Sequence, residues 1–465
     1  MLRPIEAREV TGESTPLRIA YLTAGAAGMF CGSCMHDNTL ARALTKLGCD
    51  VQLVPLYTPI RTDETAVTSD RVFLGGINVY LEQKSALFRS LPRWMTAWLD
   101  APWLIRFATG LGIETKATEL GALAVSVLKG DHGFQRQEVE RLAKWIAGEQ
   151  SDVVVFSNVL TAGSARAIKQ RRDTTIVVTL QGDDIFLRDL PEPHRSQAFA
   201  EIRELLSDID GFLVNSEYYA DFMAEYLTAP RDKFEVVPLG IDVTDFAGLP
   251  LSSSNADHRP TIGYLARLAP EKGLHVLADA FVELHQQRPE LQARLHVAGW
   301  LGAHNRAYAN EQFQKIEKAG LSEYFRHVGE VDRLGKLQFL QEIDILSVPT
   351  TYRDPKGLFV LEALAAGVPV VQPEHGAFPE LLHGTGGGVL FPPGDPVALA
   401  RALGDLLTDN ARRKTFGEQG RAAVHASFNA PAMARHTLAA LSRIRERAAA
   451  RLTQSSSSAP LTGSR

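Results

Sequence analysis

Three cysteines in 465 residues cannot build a disulfide framework, and an odd count fits a reducing compartment. No stretch reaches the roughly 18–20 continuous apolar residues that a membrane-spanning helix needs. Positive charge is not in excess either. Forty-nine Lys and Arg against 54 Asp and Glu leave a formal net charge of −5, which argues against a general nucleic-acid binder. The opening stretch MLRPIEAREVTGESTP (1–16) is polar and carries acids, unlike a signal peptide. A cytoplasmic location is the expectation. The last residues, RLTQSSSSAPLTGSR (451–465), are serine-rich without apolar periodicity, and a disordered tail is expected there.

What the chain does have is length. It exceeds one ordinary core, and two domains of about 200 residues are the prior. β-branched runs alternate with longer helical patterns: LRIAYLTA (17–24), VQLVPLY (51–57), VVVFS (153–157), TIVVTL (175–180), GFLVNS (211–216) and FEVVPLG (234–240). A low-complexity stretch, LPLSSSNADHRP (249–260), then reads as an interdomain linker. After it come TIGYLAR (261–267), ARLHVAG (293–299), DILSVP (344–349) and VPVVQ (368–372). Such runs predict an α/β protein with two doubly wound, Rossmann-like domains built on parallel sheets. Ligands in such sheets bind beyond the carboxyl ends of the strands, so a cleft between the domains is where chemistry is sought.

The expected division is an extension over 1–16, a first domain over 17–248, a linker over 249–260, a second domain over 261–427 and a terminal helix over 428–450. That helix is expected either to cross back to the first domain or to lie on the surface of the second. A helical insertion at about 85–145 interrupts the first domain. It mixes Trp94, Trp98 and Trp103 with Arg89, Arg93 and Arg106. Packing on the first domain is the plainer reading; peripheral contact with the cytoplasmic face of the membrane or an acceptor-binding lid is the alternative.

The most informative stretch is RDPKGLFVLEALAAGVPVVQPEHGAFPELL (353–382). Asp354 and Glu362 lie eight apart, and Gly357 opens a helix between them. A helix N-terminus aimed into a cleft offers N–H groups and a positive dipole end, which suits a diphosphate. In GYLARLAPEKGLHVL (263–277), Arg267 ends a strand and Lys272 follows five residues on. Two cations at a strand mouth would stabilise a leaving diphosphate; taken alone, such a pair is usually just solvated.

Together these motifs resemble the retaining GT-B glycosyltransferases of the glycogen-synthase and bacterial phosphatidylinositol-mannosyltransferase type, the group 1 glycosyl transferases. In the second half the order also holds through LHVAGW, HVGEV, DILSVPT and GGGVLFPPGDPVALARAL, and in the first half, more loosely, through LARALTKLGCDVQLV, VVTLQGDD and VNSEYYADFM. The resemblance implies a nucleotide-diphosphate-sugar donor, an acceptor that is a glycan, lipid or small molecule, and no metal or other cofactor. It gives Arg267 and Lys272 the donor diphosphate, Asp354 the donor sugar and Glu362 the ribose. Backbone N–H groups near Gly357, Leu358 and Phe359 would line the phosphate and sugar pocket.

Three departures stand out. The first acid is usually Glu, and Asp354 is shorter. Lys356 replaces a common Phe and adds a third cation near the phosphates. Gln181 stands where a His is common; it can hydrogen-bond a sugar hydroxyl but cannot act as acid or base. The adjoining Asp183 and Asp184 suggest a metal pair, though a polar strand-end loop is the preferred reading.

In AGAAGMFCGSCMHDNTLARALTKLG (24–48) the family's glycine-rich loop falls at Gly32. His36 sits where the family often has a histidine, and His36 and Asn38 are the acceptor-side candidates. Cys31 and Cys34 have C-x-x-C spacing, but shaping of the donor loop is preferred over redox or zinc chemistry. Cys49 reads as a buried small hydrophobe. Two rivals stay open: a GT-B nucleotide-sugar epimerase and a non-catalytic nucleotide-sugar-binding relative. A dehydrogenase does not fit, since no G-x-G-x-x-G opens a helix after the first strand.

Overall fold

The computed structural model describes residues 15–25, 32–57, 60, 62, 64, 67, 73, 117–250 and 259–457. The tryptophan-bearing stretch with Trp94, Trp98 and Trp103, Cys31, most of the linker and the last eight residues lie outside the described residues.

Two six-stranded parallel sheets carry the chain. The first comprises β1 (Arg18–Thr23), β2 (Asp50–Pro55), β3 (Val153–Phe156), β4 (Thr175–Thr179), β5 (Gly211–Val214) and β6 (Phe234–Val236), in the order β2-β1-β3-β4-β5-β6. The second comprises β7 (Thr261–Leu265), β8 (Arg294–Ala298), β9 (Phe325–Gly329), β10 (Ile345–Leu346), β11 (Val370–Pro373) and β12 (Gly388–Phe391), in the order β12-β11-β10-β7-β8-β9. β3 and β7 are buried along their whole lengths, as strands covered by helices on both faces are. The order reverses beside β1 in one sheet and beside β7 in the other. Those reversals are the switch points at which such sheets take ligands.

Two strands differ from the sequence expectation, which placed none at β9 or β12. Both lie at the edges of the second sheet. β9 reads FRHVG with two exposed residues, and β12 opens on glycine and is only half buried. An edge strand needs no continuous apolar run, so neither carries the buried-strand signature.

The helices that the site uses are α1 (Gly32–Lys46), α2 (Asp183–Asp189), α3 (Glu217–Tyr226), α4 (Leu274–Gln287), α5 (Arg333–Glu342), α6 (Leu358–Ala365), α7 (Phe378–Thr385) and α8 (Ala430–Ser457). The described end of the expected insertion is helical, but Arg136–Glu149 buries Val139, Leu142, Ala143 and Ile146 in the first core as the crossover into β3. α8 runs to Ser457, so residues 451–457 are helix where a tail was expected. It returns to the first domain. Ile444 fills the space over Gly211 of β5, and Arg443 and Arg447 pair with Glu235 of β6 at 2.7 and 2.6 Å.

The chain crosses between the domains twice, and the crossings are tied together. Ile241 N–H donates to Phe428 O at 3.1 Å, and Ala430 N–H donates to Ile241 O at 2.8 Å. Arg421 then clamps the start of the linker through the carbonyls of Phe246, Ala247 and Leu249. Cys34 and Cys49 are both buried, and Cys49 is a free thiol against the first core.

Candidate active site

A cleft of about 710 Å³ opens between the two sheets, lined from both domains. That is the size of a pocket for a nucleotide-sized ligand. From the second domain come Arg267, Lys272, Lys356, Leu358, Phe359, Asp354 and Glu362; from the first come Gly32 and Gln181. Residues from distant parts of the chain thus converge on one space.

Lys272 and Asp354 are brought together by two turns that only glycine permits. Gly273 starts α4 with φ +73°, and a Cβ there would lie 1.7 Å from Pro349 O. Gly357 starts α6 with φ +66°, and a Cβ there would lie 2.6 Å from the Leu381 side chain. Both positions combine the left-handed backbone with close packing, so any side chain would cost stability.

Between those turns, Asp354 is buried and accepts from four donors. Lys272 Nζ at 3.0 Å and Tyr352 OH at 2.6 Å share Oδ2; the N–H groups of Lys356 at 3.1 Å and Gly357 at 2.9 Å share Oδ1. Burial alone would raise its pKa, but the Lys272 charge and these hydrogen bonds outweigh it, and the carboxyl is held well below the usual range. Tyr352 is pushed well above its ordinary value, by burial first and then by Asp354, so it stays a donor. Lys272 also lies 4.8 Å from the Tyr352 ring centre and 5.4 Å from that of Phe359. Arg267 is far less confined: its side chain is 46% exposed and meets Glu271 at 3.0 Å.

The Gly357 N–H was expected to face a ligand, yet Asp354 takes it. The N–H groups of Leu358 and Phe359, on the first turn of α6, have no acceptor among the described residues, and both residues line the cleft. Glu362, on the next turn, is buried and accepts from Lys336 Nζ of α5 at 2.6 Å. Lys336 lines the cleft too, as do Trp300, Glu330 and Val331 beyond β8 and β9. None of these was singled out in the sequence. Lys336 sits in an ordinary helical pattern, where a lysine reads as solvated; Tyr352, two residues before Asp354, was within reach of the motif.

The acceptor-side candidates fare differently. Gly32, Ser33 and Met35 of α1 line the cleft, and His36, four residues on from Gly32, faces a small adjoining cavity that Glu362 shares. Asn38 lines neither. Six residues past Gly32 is about 240° around a helix, and its Oδ1 accepts from Val67 N–H at 3.0 Å behind the wall. The acids after β4 are structural: Asp183 accepts from Val159 N–H and Gln181 N–H, and Asp184 from Tyr219 OH.

Residues 251–423 match the family described as glycosyl transferases group 1, and residues 38–240 match the glycosyl transferase 4-like domain. Both domains are thus matched as glycosyltransferase domains, the second as group 1. The first match covers β7 to β12 and with them Arg267, Lys272, Asp354 and Glu362.

Among relatives of this chain, a D-inositol 3-phosphate glycosyltransferase of Corynebacterium kroppenstedtii is 28% identical over 53% of this chain and 56% of its own. A phosphatidyl-myo-inositol mannosyltransferase of Mycobacterium leprae is 30% identical over 40% of this chain and 48% of its own. The chain therefore spans about half the length of these relatives. In structure it resembles sucrose-phosphate synthase from Thermosynechococcus elongatus with a TM-score of 0.65, at 19% identity, over 93% of this chain and all of the other. That likeness shows the GT-B fold. Among the described residues, no helix is long and apolar enough to cross a membrane.

Proposed function

We propose that the chain transfers a glycosyl group from a nucleotide-diphosphate sugar to a hydroxyl of an acceptor glycan, lipid or small molecule, retaining the anomeric configuration. One observation carries the reading: Arg267, Lys272, Lys336 and Lys356 converge on a cleft that the first turn of α6 also lines. Cations and a helix N-terminus suit a diphosphate whose charge grows as it departs.

Glu362, braced by Lys336, holds the ribose, and Leu358 and Phe359 offer their N–H groups to phosphate and sugar. Arg267 swings in from its exposed position to meet the diphosphate, while Lys272 waits in place. Asp354 has both oxygens shared among four donors, so it acts by setting Lys272 and the first turn of α6. The acceptor oxygen attacks the anomeric carbon on the face that the diphosphate leaves. The bond to the diphosphate oxygen breaks, and the departing phosphate takes the acceptor's proton. The side chains described here move no proton in that route. The domains close over the donor by bending at the paired crossings near Ile241 and Phe428.

Calorimetric titration with UDP, GDP and ADP, beside Arg267→Ala, tests the donor site. Binding of one nucleotide, weakened in the variant, supports it; no binding at millimolar concentration overturns it and favours a relative that has lost donor function. With turnover in hand, NMR of the product anomer decides between retention and inversion.

A further inference from the structure

Asp37 lies in α1 behind the cleft wall, fully buried, and its carboxylate is crowded with donors. Tyr21 OH reaches Oδ1 at 2.9 Å and Thr23 Oγ1 reaches Oδ2 at 2.8 Å from β1; His36 Nδ1 lies 3.1 Å from Oδ1. Burial and then the Asp37 charge keep the Tyr21 phenol protonated. The fourth donor is Gln181 Nε2, at 2.9 Å, from the loop after β4.

An ionised carboxylate only accepts, so Asp37 dictates which way the Gln181 amide faces. The nitrogen turns inward and the oxygen must turn to the cleft. There Oε1 accepts from Lys356 Nζ at 3.0 Å, and the same ammonium donates to Ser33 Oγ at 3.1 Å. Lys356 belongs to the second domain; Asp37, Gln181 and Ser33 belong to the first. The reversed amide would set oxygen against carboxylate and N–H against ammonium. Each link is therefore directional, in a site where a buried polar chain is costly to break.

We propose that Asp37 is a positioning residue for the transfer reaction. Through Gln181 it holds Lys356 against the first-domain wall, and this cross-domain relay sets both the closed form of the cleft and the grip on the donor's sugar. The part that concerns the sugar rests on the donor reading above; the part that concerns closure does not. The relay also gives Gln181 a role that a histidine in its place would not fill in the same way. Its amide passes an acceptor outward because it spends its donor inward.

The test uses the full chain and the variants Asp37→Asn, Gln181→Leu and Lys356→Met. Small-angle scattering of the ligand-free proteins should show a larger radius of gyration in all three. Asp37→Asn added to Lys356→Met should open the protein no further. Titration should show affinity for UDP-glucose or GDP-mannose, whichever binds, falling about tenfold, with the matching bare nucleoside diphosphate within twofold. An Asp37→Asn protein with unchanged scattering overturns the relay, as does one that loses sugar nucleotide and bare nucleotide equally. Additive effects of Asp37→Asn and Lys356→Met overturn it too. If Asp37→Asn fails to fold, Gln181→Leu, which leaves the Tyr21 and Thr23 bonds intact, carries the same comparisons. If no nucleotide binds the native chain, the donor reading fails and the scattering still decides the relay.

Discussion

Lys272 Nζ lies 3.0 Å from Asp354 Oδ2, a cation and an anion joined inside a cleft that is otherwise open to solvent. The side chains are 13% and 4% exposed, so neither charge has much water to fall back on. Lys272→Ala strips Asp354 of its counter-charge while leaving three neutral donors. Breaking a buried pair from one side typically costs about 3–5 kcal/mol. Folding stability should fall by about 3 kcal/mol, together with transfer. The double variant Lys272→Met/Asp354→Asn should recover part of the stability and none of the transfer. Urea unfolding beside single-turnover rates checks it; recovery of both would leave Lys272 without a catalytic role.

Arg267 makes the opposite case. Its side chain is half exposed and its ion pair with Glu271 faces solvent, a kind of pair that is worth little to folding. Arg267→Ala should unfold within about 0.5 kcal/mol of the native chain. Its single-turnover rate should nonetheless fall by about 2–4 kcal/mol of transition-state stabilisation, roughly 30- to 1,000-fold, the loss typical of one oxyanion donor. A rate within threefold of the native chain would remove Arg267 from the site.

The contrast shows how far the residues alone could be read. Arg267, Lys272, Asp354 and Glu362 were legible because each sits at a fixed step from a strand end or a helix-opening glycine. Their division of labour was not. Asp354 and Glu362 differ by their partners, and Lys336, the partner of Glu362, comes from α5, 26 residues earlier. Gln181 looked like a weakened histidine until Asp37, 144 residues away, fixed the direction of its amide. Helix rotation, which spacing alone does not display, carries Asn38 off the face that Gly32 presents. The sheets were legible in their buried strands and lost at the edges, where β9 and β12 bear mixed side chains.

Glu380 on α7 offers a third test, at the domain boundary. Its carboxylate accepts from Glu217 N–H at 2.9 Å and Tyr218 N–H at 2.7 Å, the first turn of α3 in the other domain. Ser216 Oγ covers the next N–H, that of Tyr219, at 3.2 Å. The cap of α3 is thus completed only when the domains meet. Glu380→Ala should cost about 1 kcal/mol, as loss of a helix cap and of a charge at the dipole's positive end does. The loss should shrink in high salt, because the pair is exposed. Thermal unfolding in low and high salt checks it, and an effect independent of salt would count against an electrostatic cap.

Asp183 supplies a pH test with a definite sign. It opens α2, with Val159 N–H at 2.7 Å on one oxygen and Gln181 N–H at 2.9 Å on the other. Burial is the largest influence and raises its pKa from 3.8 to about 6; the hydrogen bonds pull the other way without cancelling it. Between those values the folded chain holds a proton that the unfolded chain has already lost. Stability from this group is therefore complete below about pH 4 and lost as pH rises through about 6. Asp183→Asn cannot titrate. The stability of the native chain relative to the variant should decline across that window by up to about 3 kcal/mol, the free energy of a two-unit shift. Urea unfolding of both proteins at pH 4, 5, 6 and 7 measures the difference directly. A difference that stays flat would mean the two N–H donors hold the carboxylate ionised throughout. A difference that grows with pH would place the Asp183 pKa below its ordinary value and make the loop beneath Gln181 an anion-stabilising turn.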